Sequence, residues 1–165
     1  MRVLVVQESM FGNTADVARA VAGALAEHAD VRLVAAAEAP ADPGNDLDLL
    51  VVGAPTHGLT LPTPRSRDEA IRHGAPPPAP FGVREWLDAL PAGQAWPVAT
   101  FCTKVRRGGP FAGSAAKAAA RVARRHGHPV LASADFFVSA TPGPLLPGEL
   151  ARAAAWAGGL VPVAV

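Results

Sequence analysis

RVLVVQESMFGNTADVARAVAGALAEH, residues 2–28, holds the pattern from which the rest of the chain can be read. Arg2 to Val6 is a near-continuous apolar run, as expected of a strand covered on both faces. From Asn13 to His28, Val17, Val21 and Leu25 recur at helical spacing with Ala18 and Ala24 beside them, which predicts a helix. Between the two lies SMFGNT, Ser9 to Thr14, where hydroxyl, amide and glycine groups collect directly before the helix. Gly12 or Asn13 is placed to cap that helix. The loop contains no lysine or arginine.

The alternation continues along the chain. VRLVAAA (31–37), LDLLVVGAPT (47–56), PVATFC (97–102) and PVLASADFFVSA (129–140) read as four further strands, the last broken near Ser133. Helices are predicted over 83–90, over 114–126 from a Ser114 cap to Gly127, and over 147–160 with Pro147 in the first turn. In the irregular section 59–91, SRDE (66–69) has the form of a capping box and predicts a short helix over 67–73. APPPAP (75–80) has an extended, polyproline-like bias.

The chain has 165 residues, enough for one domain with a sizeable core. Half of it is hydrophobic, 18% is charged and the formal net charge is +1, so nothing global points to nucleic acid or an anionic membrane surface. Sixteen glycines and 17 prolines stay below the content of a disordered chain. No apolar run is long enough to span a bilayer, and the N-terminus lacks the form of a secretory signal. The single Cys102 favours a reducing compartment, with the cytoplasm as the expected location.

Strands alternating with helices imply parallel pairing with helices on both faces. Five strands suit a doubly wound α/β sheet of order 2-1-3-4-5 in a single domain over 1–165. In such a sheet a ligand sits beyond the C-terminal strand ends where the winding reverses, between the first and third strands. That rule selects the loop Ser9–Thr14 and the loop GAPTHG, Gly53–Gly58. At the first loop, helix N-terminal amides, the positive end of the helix dipole and the side chains of Ser9, Asn13 and Thr14 together form a neutral cradle for a phosphate. Gly12 lets the backbone come close. The loop has neither the dinucleotide GxGxxG form nor the lysine of a triphosphate loop.

SMFGNT resembles the phosphate loop of the flavodoxins and flavodoxin-like FMN proteins, Ser/Thr-x-x-Gly-Asn-Thr. GAPTHG resembles their next flavin-contacting loop, Gly-x-Pro-Thr-aromatic-Gly. The third flavin loop would follow the fourth strand, here FCTKVRRGGPFAGSAAK (101–117). With no insertion in the fifth strand, the chain is similar to the short-chain branch. The resemblance implies FMN as cofactor, contacted by Ser9, Met10, Phe11, Gly12, Asn13, Thr14, Pro55, Thr56, His57, Gly58, Phe101, Cys102, Thr103 and Lys104, and electron transfer with redox partner proteins. It implies for Gly58 a peptide that turns over to meet the reduced ring. The chain departs from the pattern in having no tyrosine, with His57 in the aromatic position. Phe11, His57, Phe101 and Phe111 are the candidates for stacking surface, while Trp86, Trp96 and Trp156 lie outside the motif loops. Lys104, Arg106 and Arg107 near the ring would favour a reduced flavin anion and raise its potential.

Other signals are weaker. Cys102 reads as a buried, inert thiol. His126 and His128 lack a third metal ligand and suit a helix end. SAAK (114–117) reads as a helix cap. Lys117, Arg121, Arg124 and Arg125 share one helix face, the pattern of a solvated surface or of a dock for an acidic partner. Three functions remain: an FMN-bearing electron carrier, an FMN-dependent reductase of a small molecule such as a quinone, and a binding module without flavin. The carrier leads because no general acid or base beyond His57 is evident.

Overall fold

The computed structural model describes residues 1–106 and 113–161; Arg107 and Phe111 lie outside them. The strands are β1 (Arg2–Gln7), β2 (Asp30–Ala35), β3 (Leu49–Pro55), β4 (Val98–Val105) and β5 (Val130–Val138). All pair in parallel, in the order β2-β1-β3-β4-β5. The helices are α1 (Asn13–Ala26), α2 (Pro64–Arg72), α3 (Val83–Asp88), α4 (Ala115–Arg125) and α5 (Glu149–Gly158). Each residue of β3 is buried, which is why this central strand has no polar alternation.

Two apolar layers flank the sheet. On one side, Val17, Val21 and Leu25 of α1 and Ala153 and Ala157 of α5 meet Val3, Val5, Leu49, Val51, Phe101 and Phe136. On the other, Trp86 and Leu87 of α3 and the alanine face of α4 cover Leu4, Val6, Leu50, Val52 and Cys102. Phe101 lies directly beneath Gly53 of the neighbouring strand, where a Cβ would stand 2.0 Å from the Phe101 ring. The aromatic thus fits only because the residue beside it has no side chain.

Several element ends differ from expectation. The helix in the irregular section starts at Pro64, two residues before Ser66. Thr63 is its cap, accepting from the Ser66 N–H, while Ser66 Oγ accepts from the Thr63 N–H. The reciprocal pair is a capping box, shifted three residues toward the N-terminus from the one expected at Ser66. Pro147 lies outside α5, which begins after a left-handed Gly148. Strand β5 is continuous at Ser133, whose hydroxyl meets Thr100 Oγ1 at 2.7 Å. Its irregularity is at Leu131, the residue skipped between the Val98–Val130 and Ala99–Ala132 pairs.

At the edge remote from the loops of interest, Trp96 stacks on His128 with ring centroids 5.1 Å apart. His128 is 2% exposed, and neither ring nitrogen has a hydrogen-bond partner among the described residues. Burial, with a smaller contribution from the neighbouring His126, holds its imidazole below its ordinary value. The folded chain therefore binds this proton less readily than the unfolded chain does. Stability is expected to fall as pH drops through about 6.5, the unfolded value, toward the lower folded one. His128→Phe keeps a stacking ring and is expected to flatten that slope in urea unfolding between pH 7.5 and 5.5. An unchanged slope would place the acid sensitivity elsewhere.

Among the described residues, no helix is long and apolar enough to cross a membrane.

Candidate functional site

The end of β4 and the loops after β1, β3 and β5 meet at the C-terminal edge of the sheet. In the first of them Gly12 takes a left-handed φ of 92° and turns the chain into α1. No side chain caps this helix. The first-turn amides of Asn13, Thr14 and Ala15 have no acceptor among the described residues, as helix geometry dictates for its opening positions. Asp16 N–H is the first in the helix to find a carbonyl, that of Gly12 at 2.9 Å. The cradle suits an anion: it offers donors and the positive dipole end without a cationic side chain, and the carboxylate of Asp16 in the same turn is paired with Arg19.

The side-chain donors expected beside these amides are engaged within the chain. Ser9 Oγ accepts from the Gly12 N–H at 3.1 Å, which leaves its own proton to give. Asn13 Nδ2 donates to the Pro142 carbonyl at 2.6 Å, tying the loop to the segment after β5. Thr14 is buried, and its Oγ1 lies 2.7 Å from Thr103 Oγ1 at the end of β4. Thr14 therefore links the start of α1 to the end of β4, and either hydroxyl of the pair can be the donor.

Three openings surround this loop. An outer cleft of about 900 Å³ runs between Ser9–Asn13 on one side and Pro76 and Pro142–Pro144 on the other. A narrow groove of about 50 Å³ lies between Phe11, Thr56, His57, Thr103 and Lys104. A third, of about 380 Å³, is bordered by Phe11, His57, Glu69 and His73. Phe11 borders all three. Met10 borders the outer cleft and is buried against Ala70 and Ala75.

The loop after β3 is held from both ends. Thr56 N–H donates to the Thr103 carbonyl at 2.8 Å, and Thr56 Oγ1 accepts the first amide of α4, that of Ala115, at 3.0 Å. His57 and Thr60 exchange backbone bonds of 3.0 and 3.1 Å around Gly58 and Leu59. Those two residues have φ of 53° and 70°, the left-handed pair that a tight two-residue hairpin requires. Gly58 is thus the turn glycine here, and exposed Leu59 shares its unusual backbone. Burial holds the His57 imidazole below its ordinary value, against the opposing pull of Glu8 and Glu69.

Two of the expected contacts lie elsewhere. Phe101 is 1% exposed and packs edge-to-face with Phe136 and Trp156 in the layer beneath α1 and α5. Cys102 is fully buried on the opposite layer, 3.2 Å from Asp135 Oδ1, and burial pushes its thiol up. Strand alternation sends one side chain to each layer, so neither reaches the groove. Lys104 does border it, but its ammonium is drawn to the Gly113 carbonyl at 2.7 Å and Asp135 Oδ2 at 3.4 Å, away from a free cationic role. Among the described residues, no group of three His, Cys, Asp or Glu side chains could hold a metal.

One constellation had no sequence signature. Glu8, directly after β1, meets Arg67 of α2 at 2.6 Å, and Arg67 meets Glu85 of α3 at 2.8 and 3.0 Å. Arg67 is 3% exposed. Glu8 also accepts from the Val83 N–H and Glu85 from the Gly82 N–H. The cluster fastens the irregular section over the β1 end and thereby builds one wall of the site.

No family model matches the sequence, and no curated protein matches it. Solved structures do. Oxidised flavodoxin 1 from Bacillus cereus superposes with a TM-score of 0.66 at 17% identity, covering 95% of each chain. The chain has the flavodoxin fold. Two-electron reduced Megasphaera elsdenii flavodoxin aligns with a TM-score of 0.59 at 20% identity over 95% of this chain and 98% of its own. A short-chain flavodoxin associated with a bacterial microcompartment aligns at 0.64 and 18% over 97% and 96%. The flavodoxin-fold edge where the winding reverses is thus the edge where Ser9–Thr14 and Gly53–Gly58 lie.

Proposed function

We propose that this chain binds FMN and passes electrons to and from protein partners. The observation that supports it most is the cradle at the winding reversal: α1 amides without acceptors, at a positive dipole end, opening on clefts shared with the segments after β3 and β5 and with the end of β4. In this reading the amides of Asn13 to Ala15 hold the phosphate, and Ser9 Oγ–H, with its oxygen already fixed by Gly12, donates to it. Phe11 and His57 border the ring and limit water around it. Bound FMN supplies the electron transfer. His57, held neutral by burial near pH 7, adds no charge beside it.

The visible spectrum of freshly purified protein tests this directly. The expected result is a flavin absorbance, or its appearance when a colourless preparation is titrated with one equivalent of FMN, with the released chromophore identified as FMN. A protein that stays colourless and ignores FMN would instead be a flavodoxin-fold binding module, with Asn13 and Thr14 serving only to tie loops together.

A second reading is favoured by one cleft. His57, Glu69 and His73 bring titratable groups to the space beside Phe11, as a reductase of a small molecule such as a quinone would need for proton delivery. Direct oxidation of NADH or NADPH by the FMN-loaded protein separates the two: turnover supports the reductase, and its absence the carrier.

A further inference from the structure

Helix α4 carries a charge pattern that the proposed site does not use. Its alanine face packs on the sheet. Its outer face holds Lys117, Arg121, Arg124 and Arg125, all exposed, in a row about 12 Å long. The helix has no carboxylate. None of the four joins an ion pair among the described residues, whereas Arg2, Arg19, Arg67, Lys104 and Arg152 all do. The neighbouring α3 brings Glu85, held by Arg67, and Asp88, which pairs with none of the row. The net charge of +1 conceals a separation. Asp30, Asp46 and Asp48 lie exposed around the starts of β1 and β2, toward the sheet edge opposite the strands that α4 covers. The row also begins at the candidate site. The Ala115 N–H donates to Thr56 Oγ1 at 3.0 Å, and Gly113 lies against the Leu59 backbone. Leu59 is 66% exposed at a left-handed φ of 70°, and its side chain belongs to neither apolar layer. Asparagine or glycine would hold that turn at less cost, so the turn itself gives no reason for a leucine.

We propose that the Leu59 tip and the α4 cation row form one docking face for an acidic protein. The inference deepens the carrier reading by naming the charge of the partner, and it rests on that reading only for the partner's redox role. Cations without internal partners are free to meet carboxylates across an interface, which steers encounter and fixes orientation. The acidic residues around the β2 edge act in the same sense, since they repel an acidic partner that arrives there. An exposed apolar contact beside a charged rim is the anatomy of a protein interface. A nucleic acid or a lipid headgroup would use the row and leave Leu59 without a role. The face also adjoins the narrow groove, whose border includes Thr56 and His57 from the hairpin that Leu59 tips. A partner seated on it is therefore beside the candidate site.

An acidic iron–sulfur ferredoxin is the probe, titrated into the full chain with and without FMN and followed by calorimetry and amide chemical shifts. Binding is expected at about 20 mM salt and weakens about tenfold or more at about 200 mM, with shifts at Leu59, Lys117 and Arg121. Arg121→Glu on the row and Arg32→Glu on β2 change the net charge equally, and both side chains are exposed. Arg121→Glu is expected to weaken binding about fivefold or more, and Arg32→Glu less than about twofold. Leu59→Asn suits the left-handed turn while removing the apolar contact. Its stability is expected to hold or rise while binding weakens about threefold or more. The docking face is overturned by no ferredoxin binding at low salt, by equal losses in the two charge variants, or by unchanged binding of Leu59→Asn. Tighter binding to a short DNA duplex or to phosphatidylserine vesicles than to ferredoxin overturns it as well. The expected pattern in a chain that takes up no FMN would uphold the face and overturn the carrier reading alone.

Discussion

Arg67→Met is expected to lower the unfolding free energy by about 3–5 kcal/mol, the cost of removing the cation from a buried ion cluster. Its guanidinium is 3% exposed and joins Glu8 to Glu85 across a separation of 77 residues (8 to 85) in sequence, so methionine fills much of the space but leaves two carboxylates facing each other. The pH dependence should change with it. Burial by itself would push the Glu85 carboxyl up, yet Arg67 and the backbone N–H groups hold it below its ordinary value. In the native protein this contribution is complete above the unfolded carboxylate range near 4.3 and is lost as pH falls through the lower folded value. Without Arg67 the sign reverses: the bare carboxylates take up protons more readily when folded, and acidification from pH 7 to 5 should recover part of the lost stability. Urea unfolding at both pH values measures this. A variant within about 1 kcal/mol of the native protein at pH 7 would show that the cluster contributes little.

Gly113→Ala is expected to destabilise the chain by about 1–3 kcal/mol and to disturb the site without removing any of its proposed contacts. A Cβ at Gly113 would stand 1.9 Å from the Leu59 carbonyl oxygen and 2.3 Å from its Cα. Both are backbone atoms of the tight hairpin that holds His57 and Gly58, so no side-chain rotation relieves the contact. The hairpin has to move. Flavin affinity is expected to fall by about tenfold or more, measured by titration beside a denaturation curve. Gly23→Ala is the control: nothing lies within 4 Å of its Cβ position inside α1, and there alanine should stabilise by about 0.5–1 kcal/mol through helix propensity alone. If the two substitutions behaved alike, the close approach at Leu59 would carry no energetic weight.

The sheet was legible because its strands are apolar throughout and its helices are periodic. The order 2-1-3-4-5 and the two loops at the winding reversal follow from that alternation. The same continuity hid the orientation of individual side chains. In a strand buried on both faces, Phe101 and Cys102 look equally suited to a cofactor, and only the register against Gly53 and Ala54 shows that each belongs to a different apolar layer. The Glu8–Arg67–Glu85 cluster was invisible because its members come from three elements whose juxtaposition no local pattern encodes. Arg67 sat inside the SRDE stretch that predicted a cap, while Thr63, followed by Pro64, was the better start signal. The part played by the segment after β5 could have been inferred. In a doubly wound sheet the turn after each strand opens on the same edge, and Thr141–Pro144 is such a turn.

The bonds from Thr14 to Thr103 and from Asn13 to Pro142 fasten the first loop to two of its neighbours. On the FMN reading, a ring seated in the narrow groove beside them would need those fastenings to open and the loaded form to hold a different set. Capture would then be limited by how often the loops separate rather than by collision, and the expected result is an observed rate that levels off with increasing FMN concentration. A group held behind re-formed bonds would leave slowly for the same reason, so retention in this chain depends as much on how the edge closes as on the strength of the cradle.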